Sequence, residues 1–153
     1  MNVSSTDGGS PTPSGGAIVT AADLQRRYGE GEAAVDALAG VSTRFERGRF
    51  AAIMGPSGSG KSTLMHLLAG LDKPTGGSVV LDGVELSGLD DNRLTRLRRD
   101  KLGFVFQFFN LLPVLTAEEN IRLPLSIAGR KPDAEWLEHL IEVVGLGDRR
   151  THR

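Results

Sequence analysis

The sequence predicts an α/β fold assembled around one strand, loop and helix unit. Three observations carry it. Residues 50–54 (Phe-Ala-Ala-Ile-Met) form a nearly continuous apolar run, the kind buried on both faces of a sheet, and so are expected to be a central strand. A glycine-rich loop follows at once. Leu64, Met65, Leu67 and Leu68 then make an apolar helix over residues 62–69 that Gly70 stops at a C-cap position.

The remaining elements follow in chain order. Residues 1–16 are mostly Gly, Ser, Thr and Pro and offer almost nothing to bury, so they are expected to form a disordered tail ahead of an ordered region over residues 17–153. Short apolar strands are expected near residues 17–19 and 35–38, with Val41, Thr43 and Phe45 alternating onto one face before a turn at residues 46–49. Beyond the apolar helix, Val79-Val80-Leu81 and Val84-Glu85-Leu86 flank Asp82-Gly83, a pair suited to the positive φ angles of a tight hairpin turn. Residues 92–99 read as a polar helix and residues 103–107 as a return to strand. Thr116 and Glu119 have capping-box spacing for a helix that Pro124 is expected to bend or end. Trp136, Leu137, Leu140, Ile141 and Val144 share one face of a last helix, starting near Pro132 and closed by Gly145, with Trp136 expected in the core. No internal repeat is present.

Composition narrows the function. With 153 residues, 39% of them hydrophobic, the chain has material for the core of one domain. Eighteen basic against 19 acidic residues leave a net charge of −1, so no overall basic field points to nucleic acid. The absence of cysteine removes disulfides, thiolate metal sites and thiol nucleophiles, and suits a reducing compartment. No apolar run approaches the ~18 residues of a membrane-spanning helix, and the N-terminus lacks the layout of a signal peptide. The chain is therefore expected to be soluble and unexported.

The chemistry sits in Gly55-Pro56-Ser57-Gly58-Ser59-Gly60-Lys61-Ser62-Thr63, which fits G-x-x-x-x-G-K-[ST] between an apolar strand and a helix N-terminus. The glycines let backbone N–H groups converge on phosphate oxygens, and the helix end adds partial positive charge at the same point. Lys61 is expected to reach the β- and γ-phosphates, Ser62 to offer its hydroxyl to Mg²⁺, and Thr63 to add a donor near the α-phosphate. A dinucleotide fingerprint would need glycine at position 63. The ligand expected is a nucleoside triphosphate. No Asn is followed by Lys, so the Asn-Lys-x-Asp guanine reader of GTPases is absent. Arg93, Arg96, Arg98 and Arg99 could imitate the lid of a small-molecule kinase, but Asp90, Asp91 and Asp100 beside them make a solvated helix face the simpler reading.

Two further segments point to a family. Tyr28 precedes the phosphate loop, and Leu102-Gly103-Phe104-Val105-Phe106-Gln107-Phe108-Phe109-Asn110-Leu111-Leu112-Pro113 follows it. Together with Gly-Pro-Ser-Gly-Ser-Gly-Lys-Ser-Thr they closely resemble an ABC-transporter ATPase of the macrolide-export and lipoprotein-releasing branch, over residues 17–153. The resemblance implies a P-loop NTPase fold, here incomplete, with an N-terminal antiparallel β subdomain and the start of a helical subdomain. It implies ATP and Mg²⁺ as cofactors, Tyr28 as the aromatic stacked on adenine, and Gln107 as the Q-loop glutamine on Mg²⁺ and the attacking water. Phe108, Phe109, Leu111 and Leu112 leave strand alternation with their apolar side chains unplaced, so they make either a small core of their own or a docking surface. The resemblance favours docking, to a helix of a transmembrane permease subunit, and implies a head-to-tail pairing with a second ATP-binding subunit on the cytoplasmic face of the membrane. Phe108 departs from the branch, which often has a small polar residue there.

His66, His139 and His152 lack companions at ligand spacing, and Glu118 and Glu119 suit a helix first turn better than a catalytic base. The family's signature, Walker B strand, catalytic glutamate, D-loop and switch histidine are not among these residues. Val79-Val80-Leu81-Asp82 and Leu86-Ser87-Gly88 imitate Walker B and the signature, but both precede Gln107 and the former reads better as a hairpin. The expectation is a chain that binds ATP, hydrolyses it negligibly by itself, exposes apolar strand edges and aggregates readily. A non-catalytic regulatory fragment and, less well, a small-molecule kinase stand as alternatives.

Overall fold

A computed structural model describes residues 2–5, as backbone, and residues 16–153. The chain divides into two compact units, Met1–Arg98 and Arg99–Arg153.

The first unit holds two antiparallel sheets. In the larger, β2 (Ala17–Tyr28) lies between β3 (Val35–Glu46) and β5 (Gly76–Leu81), and β6 (Val84–Glu85) extends β5. This is the expected antiparallel subdomain, but β2 and β3 each run 12 residues rather than forming short pieces. Their pairing is broken by register shifts around residues 21–25, where Asp23 takes a left-handed φ of 48° and donates its N–H to Ser42 Oγ at 2.9 Å. The apolar faces of the sheet receive helix α1 (Lys61–Leu68), so that Leu24, Leu38, Leu64, Leu67, Val79 and Leu81 are buried together. The hairpin is as expected: Leu81 faces Val84 across Asp82 and Gly83, at φ 48° and 80°. Asp82 stands in the hairpin turn with its carboxylate taken by Arg47, and Leu86-Ser87-Gly88, with Leu86 buried, is the bend and turn that follows β6.

The smaller sheet corrects two expectations. Strand β4 (Ala51–Met54) is not central and not buried: among the described residues its one neighbour is the antiparallel β1 (Asn2–Ser5), and Phe50 just ahead of it is 91% exposed. A strand is covered on both faces only where further strands and helices lie beside it, and here they do not. Residues 2–5 in turn form a strand where a structureless tail was expected. Ladders are made by backbone groups, so small polar side chains do not prevent pairing with an apolar strand that has open edges. Residues 1 and 6–15, the greater part of the expected tail, lie outside the described residues.

Helix α2 (Asp91–Lys101) buries Leu94 against Leu86 and Gly70. In the second unit, the segment expected as a strand at residues 103–107 is irregular. Phe104 and Phe106 do point the same way, with rings stacked 5.8 Å apart, but without a ladder partner the backbone is not a strand. Helix α3 (Ala117–Ile127) starts at the expected capping box: the Thr116 hydroxyl accepts from Glu119 N–H at 3.3 Å and Glu119 Oε2 accepts from Thr116 N–H at 2.7 Å. It runs past Pro124 to Ile127, because a proline in the last turn costs a single backbone bond. Helix α4 (Ala134–Val143) is capped by Asp133, whose carboxylate accepts from Trp136 N–H at 2.9 Å, and buries Leu137 and Ile141. Trp136 is not core. It is 59% exposed and leans on His139, 5.5 Å away, because the second unit holds too few elements to cover a face five apolar residues wide.

Candidate functional site

The phosphate loop lies where the motif requires, between β4 and α1. Gly58 and Gly60 adopt φ of 75° and 84°, which a side chain would strain, and Gly60 caps α1 without a side chain in the way. The first helical N–H known to return to the helix is that of Leu64, to Gly60 O at 2.8 Å; the preceding turn is the part that helix geometry offers to an anion. Gly55, Pro56, Ser57, Gly58 and Ser62 are exposed, while Ser59, Gly60, Lys61 and Thr63 are half-buried.

Two side chains of the loop have distinctive surroundings. Lys61 Nζ folds back to donate to the carbonyl of Pro56 at 2.7 Å, which brings its charge onto the loop. Ser59 Oγ is buried without a hydrogen-bond partner, beneath a loop whose Gly55 has no room for a Cβ, since it would sit 2.7 Å from that oxygen. A buried orphan hydroxyl, a lysine held across the opening and a bare helix N-terminus fit a phosphate chain with its counter-cation. Ser62, expected to serve Mg²⁺, is exposed in the first helical turn. Among the described residues no cluster of three or more His, Cys, Asp or Glu side chains could hold a metal.

Tyr28 ends β2 in the same unit and is 41% exposed. Its hydroxyl donates to Asp72 Oδ2 at 2.8 Å, and the Arg26 guanidinium lies 4.4 Å from the ring centroid. Arg26 also pairs with Asp72 Oδ1 at 2.9 Å. Partial burial pushes the Asp72 carboxyl up, but the Tyr28 hydroxyl, the Lys73 N–H and the Arg26 charge together outweigh it and hold the carboxyl below its ordinary value. Sequence reading missed Arg26 and Asp72. Their partner is 44 residues from Asp72, a separation at which no periodicity can announce a contact.

In the second unit Gln107 sits exposed in a bend. The apolar residues after it do not form a core: Phe108 and Phe109 are 77% and 87% exposed, and Leu111 and Leu112 are also exposed. The segment is nonetheless anchored. Asn120 in α3 accepts the Leu112 N–H at 2.9 Å and donates to the carbonyls of Leu112, Leu115 and Thr116 at 3.0–3.2 Å. Asparagine is a weak helix former, and its place one turn into a capped helix was the available signal that its amide has other work.

Comparison with known proteins shows the family. The model of the ABC transporter family matches residues 38–153. A macrolide export ATP-binding/permease protein of Marinobacter nauticus is 47% identical over 146 residues, covering 94% of this chain and 22% of that protein. A lipoprotein-releasing system ATP-binding protein of Legionella pneumophila is 45% identical over 138 residues, covering 89% and 61%. An ATP-binding cassette of Methanocaldococcus jannaschii, solved as a dimer in a post-hydrolysis state bound to ADP and Pi, superposes with a TM-score of 0.76 at 41% identity, covering 89% of this chain and 61% of that one. The chain thus spans about a fifth to three fifths of the length of these relatives. Among the described residues no helix is long and apolar enough to cross a membrane.

Proposed function

The chain belongs to the ABC transporter family, and from that premise we propose that it is the nucleotide-binding part of a transporter that couples ATP to export or release through a membrane permease. The observation that carries this is the phosphate loop itself, with Lys61 held over it on Pro56 O and Ser59 Oγ left without a partner beneath it. Backbone N–H groups of the loop and of the first turn of α1 bind the phosphates, Lys61 moves from Pro56 to their β- and γ-oxygens, and Tyr28 offers a ring face to adenine. Ser62 and Gln107 are the proposed Mg²⁺ contacts. When bound, the ion draws charge from the phosphate oxygens. Gln107, by resemblance, also orients the attacking water with an amide that does not titrate.

The exposed Phe108, Phe109, Leu111 and Leu112 are the proposed seat of a permease helix, supported by their exposure and by the permease joined to the ATP-binding part in the Marinobacter relative. A second ATP-binding subunit, as in the dimeric Methanocaldococcus cassette, would face the nucleotide, and the complex would work on the cytoplasmic side of a membrane. Because the Walker B aspartate and catalytic glutamate are not among the 153 residues, this chain alone is proposed to bind ATP without turnover. Isothermal calorimetry of the chain with Mg-ATP tests the reading. Saturable binding that Lys61→Ala weakens at least about tenfold is expected; no binding, or binding indifferent to Lys61→Ala, would overturn it.

A further inference from the structure

We propose that Asp72 is a positioning residue that ties the Tyr28 ring to the phosphate-binding helix, with Arg26 filling one face of the ring so that the other is left for a purine. This rests on the reading of Tyr28 as the base platform. Both oxygens of the Asp72 carboxylate are engaged: Oδ2 accepts from the Tyr28 hydroxyl at 2.8 Å, and Oδ1 accepts from Lys73 N–H at 2.8 Å and forms an ion pair with Arg26 Nη2 at 2.9 Å. Arg26 closes the triangle over the ring, 4.4 Å from its centroid. Its buried Nε has no hydrogen-bond acceptor, so the guanidinium is kept in place by Asp72 at one edge and by the π face.

The backbone of Asp72 is tied to α1. Leu71 N–H and Asp72 N–H both donate to His66 O, at 2.8 and 3.4 Å, in the turn that ends the helix whose other end carries Lys61 and Ser62. One helix of eight residues therefore joins the phosphate loop to the residue that holds the ring. A free tyrosine at the end of a strand would have to be ordered by the base it binds. A ring already fixed by its hydroxyl and one covered face does not, and the saving appears as affinity for the base.

The signature of such a role is base-dependent. The affinities of the 153-residue chain for Mg-ATP and for magnesium tripolyphosphate, which has the phosphates and no base, are compared by calorimetry in Tyr28→Ala, Tyr28→Phe and Asp72→Ala. Tyr28→Phe and Asp72→Ala are each expected to weaken ATP about 3- to 10-fold while leaving tripolyphosphate unchanged, and the double variant to be no worse than the weaker single. If Tyr28→Ala lowers ATP affinity alone while Tyr28→Phe and Asp72→Ala leave it intact, the ring is a platform that needs no positioning and the proposal fails. If Asp72→Ala weakens both ligands equally, Asp72 serves the fold and the proposal also fails. If Tyr28→Ala leaves the ratio of the two ligands unchanged, Tyr28 is no base platform and the underlying reading falls first. Tyr28→Phe deletes one hydroxyl from a part-exposed ring and keeps the test open should Asp72→Ala not fold.

Discussion

Asn120 and Leu112 exchange two hydrogen bonds, the Leu112 N–H to Asn120 Oδ1 at 2.9 Å and Asn120 Nδ2 to the Leu112 carbonyl at 3.1 Å. The side-chain amide thereby pairs with a backbone peptide as a neighbouring strand would, and it does so at the end of a segment whose apolar side chains are turned to solvent. Asn120→Ala removes these bonds together with those to Leu115 and Thr116 while leaving the Thr116–Glu119 cap intact. Amide exchange at Leu112 is expected to accelerate by about tenfold or more, with the first turn of α3 nearly unaffected. Unchanged exchange at Leu112 would show that the loop is held by something else.

The apolar residues in front of that anchor set the second prediction. Phe108→Ser with Phe109→Ser removes two rings that are almost entirely exposed, so no packing is lost. The doubly substituted chain is expected to stay soluble at higher concentration and to bind less of an apolar fluorescent dye, with unchanged far-ultraviolet circular dichroism. Equal dye binding would place the sticky surface elsewhere, the exposed flank of β4 being the next candidate.

Nucleotide chemistry yields a third. The purified chain is expected to release no more phosphate from ATP than its Lys61→Ala variant, while binding ATP better than that variant does. Turnover above the Lys61→Ala control would mean that a carboxylate elsewhere in the chain serves as the base.

Two glycines with nearly equal φ angles separate close packing from backbone strain. A Cβ on Gly77 would stand 2.2 Å from Asp23 O and 2.4 Å from Ala22 O, whereas one on Gly83 would meet nothing within 4 Å. Gly83→Ala is expected to cost about 1 kcal/mol, the price of a left-handed residue alone. Gly77→Ala must push β5 away from β2 and is expected to reduce amide protection in both strands by roughly 100-fold or more. Similar effects of the two substitutions would contradict this.

Acid should loosen the second unit in a defined window. The Arg150 guanidinium, bonded to Glu118 at 3.1 Å, holds the Glu118 carboxyl below its ordinary value against a smaller opposing effect of burial, and Arg122 adds to this. A carboxyl with a lowered folded pKa contributes stability that is fully present above its ordinary value, near 4.5, and is lost as pH falls through the folded one. The advantage of the native chain over Glu118→Gln, followed by the emission of its single tryptophan, Trp136, is therefore expected to be constant at neutral pH, to begin falling near the ordinary carboxyl value and to be gone once pH is below the lowered one. An advantage that persists at lower pH would rule out the ion pair as its source.

Elements whose signals lie within a few residues were legible beforehand. The Asp82-Gly83 hairpin, the Thr116–Glu119 box, the start of α4 near Pro132 and the phosphate loop each depend on bonds between residues at most five apart. Misreadings came where a residue's state depends on remote neighbours. Residues 50–54 and 103–107 carry strand-like side chains, but whether an apolar run is a buried strand, an edge or an irregular segment depends on what lies beside it. Trp136 was misplaced for the same reason: a helix has an apolar face by its own spacing, and only packing decides how much of it is covered.

By itself, then, the order of residues determined the family and the place of the phosphate-loop motif, because that motif is written in consecutive residues. The tertiary structure decided the surroundings of Tyr28 and the anchoring of the segment after Gln107. Arg26, Tyr28 and Asp72 meet only because a 12-residue strand and the turn after α1 end at the same place, and Asn120 finds Leu112 only because α3 folds back on the segment before it. Contacts across such separations are set by the closing of loops and the packing of elements, which no local pattern encodes.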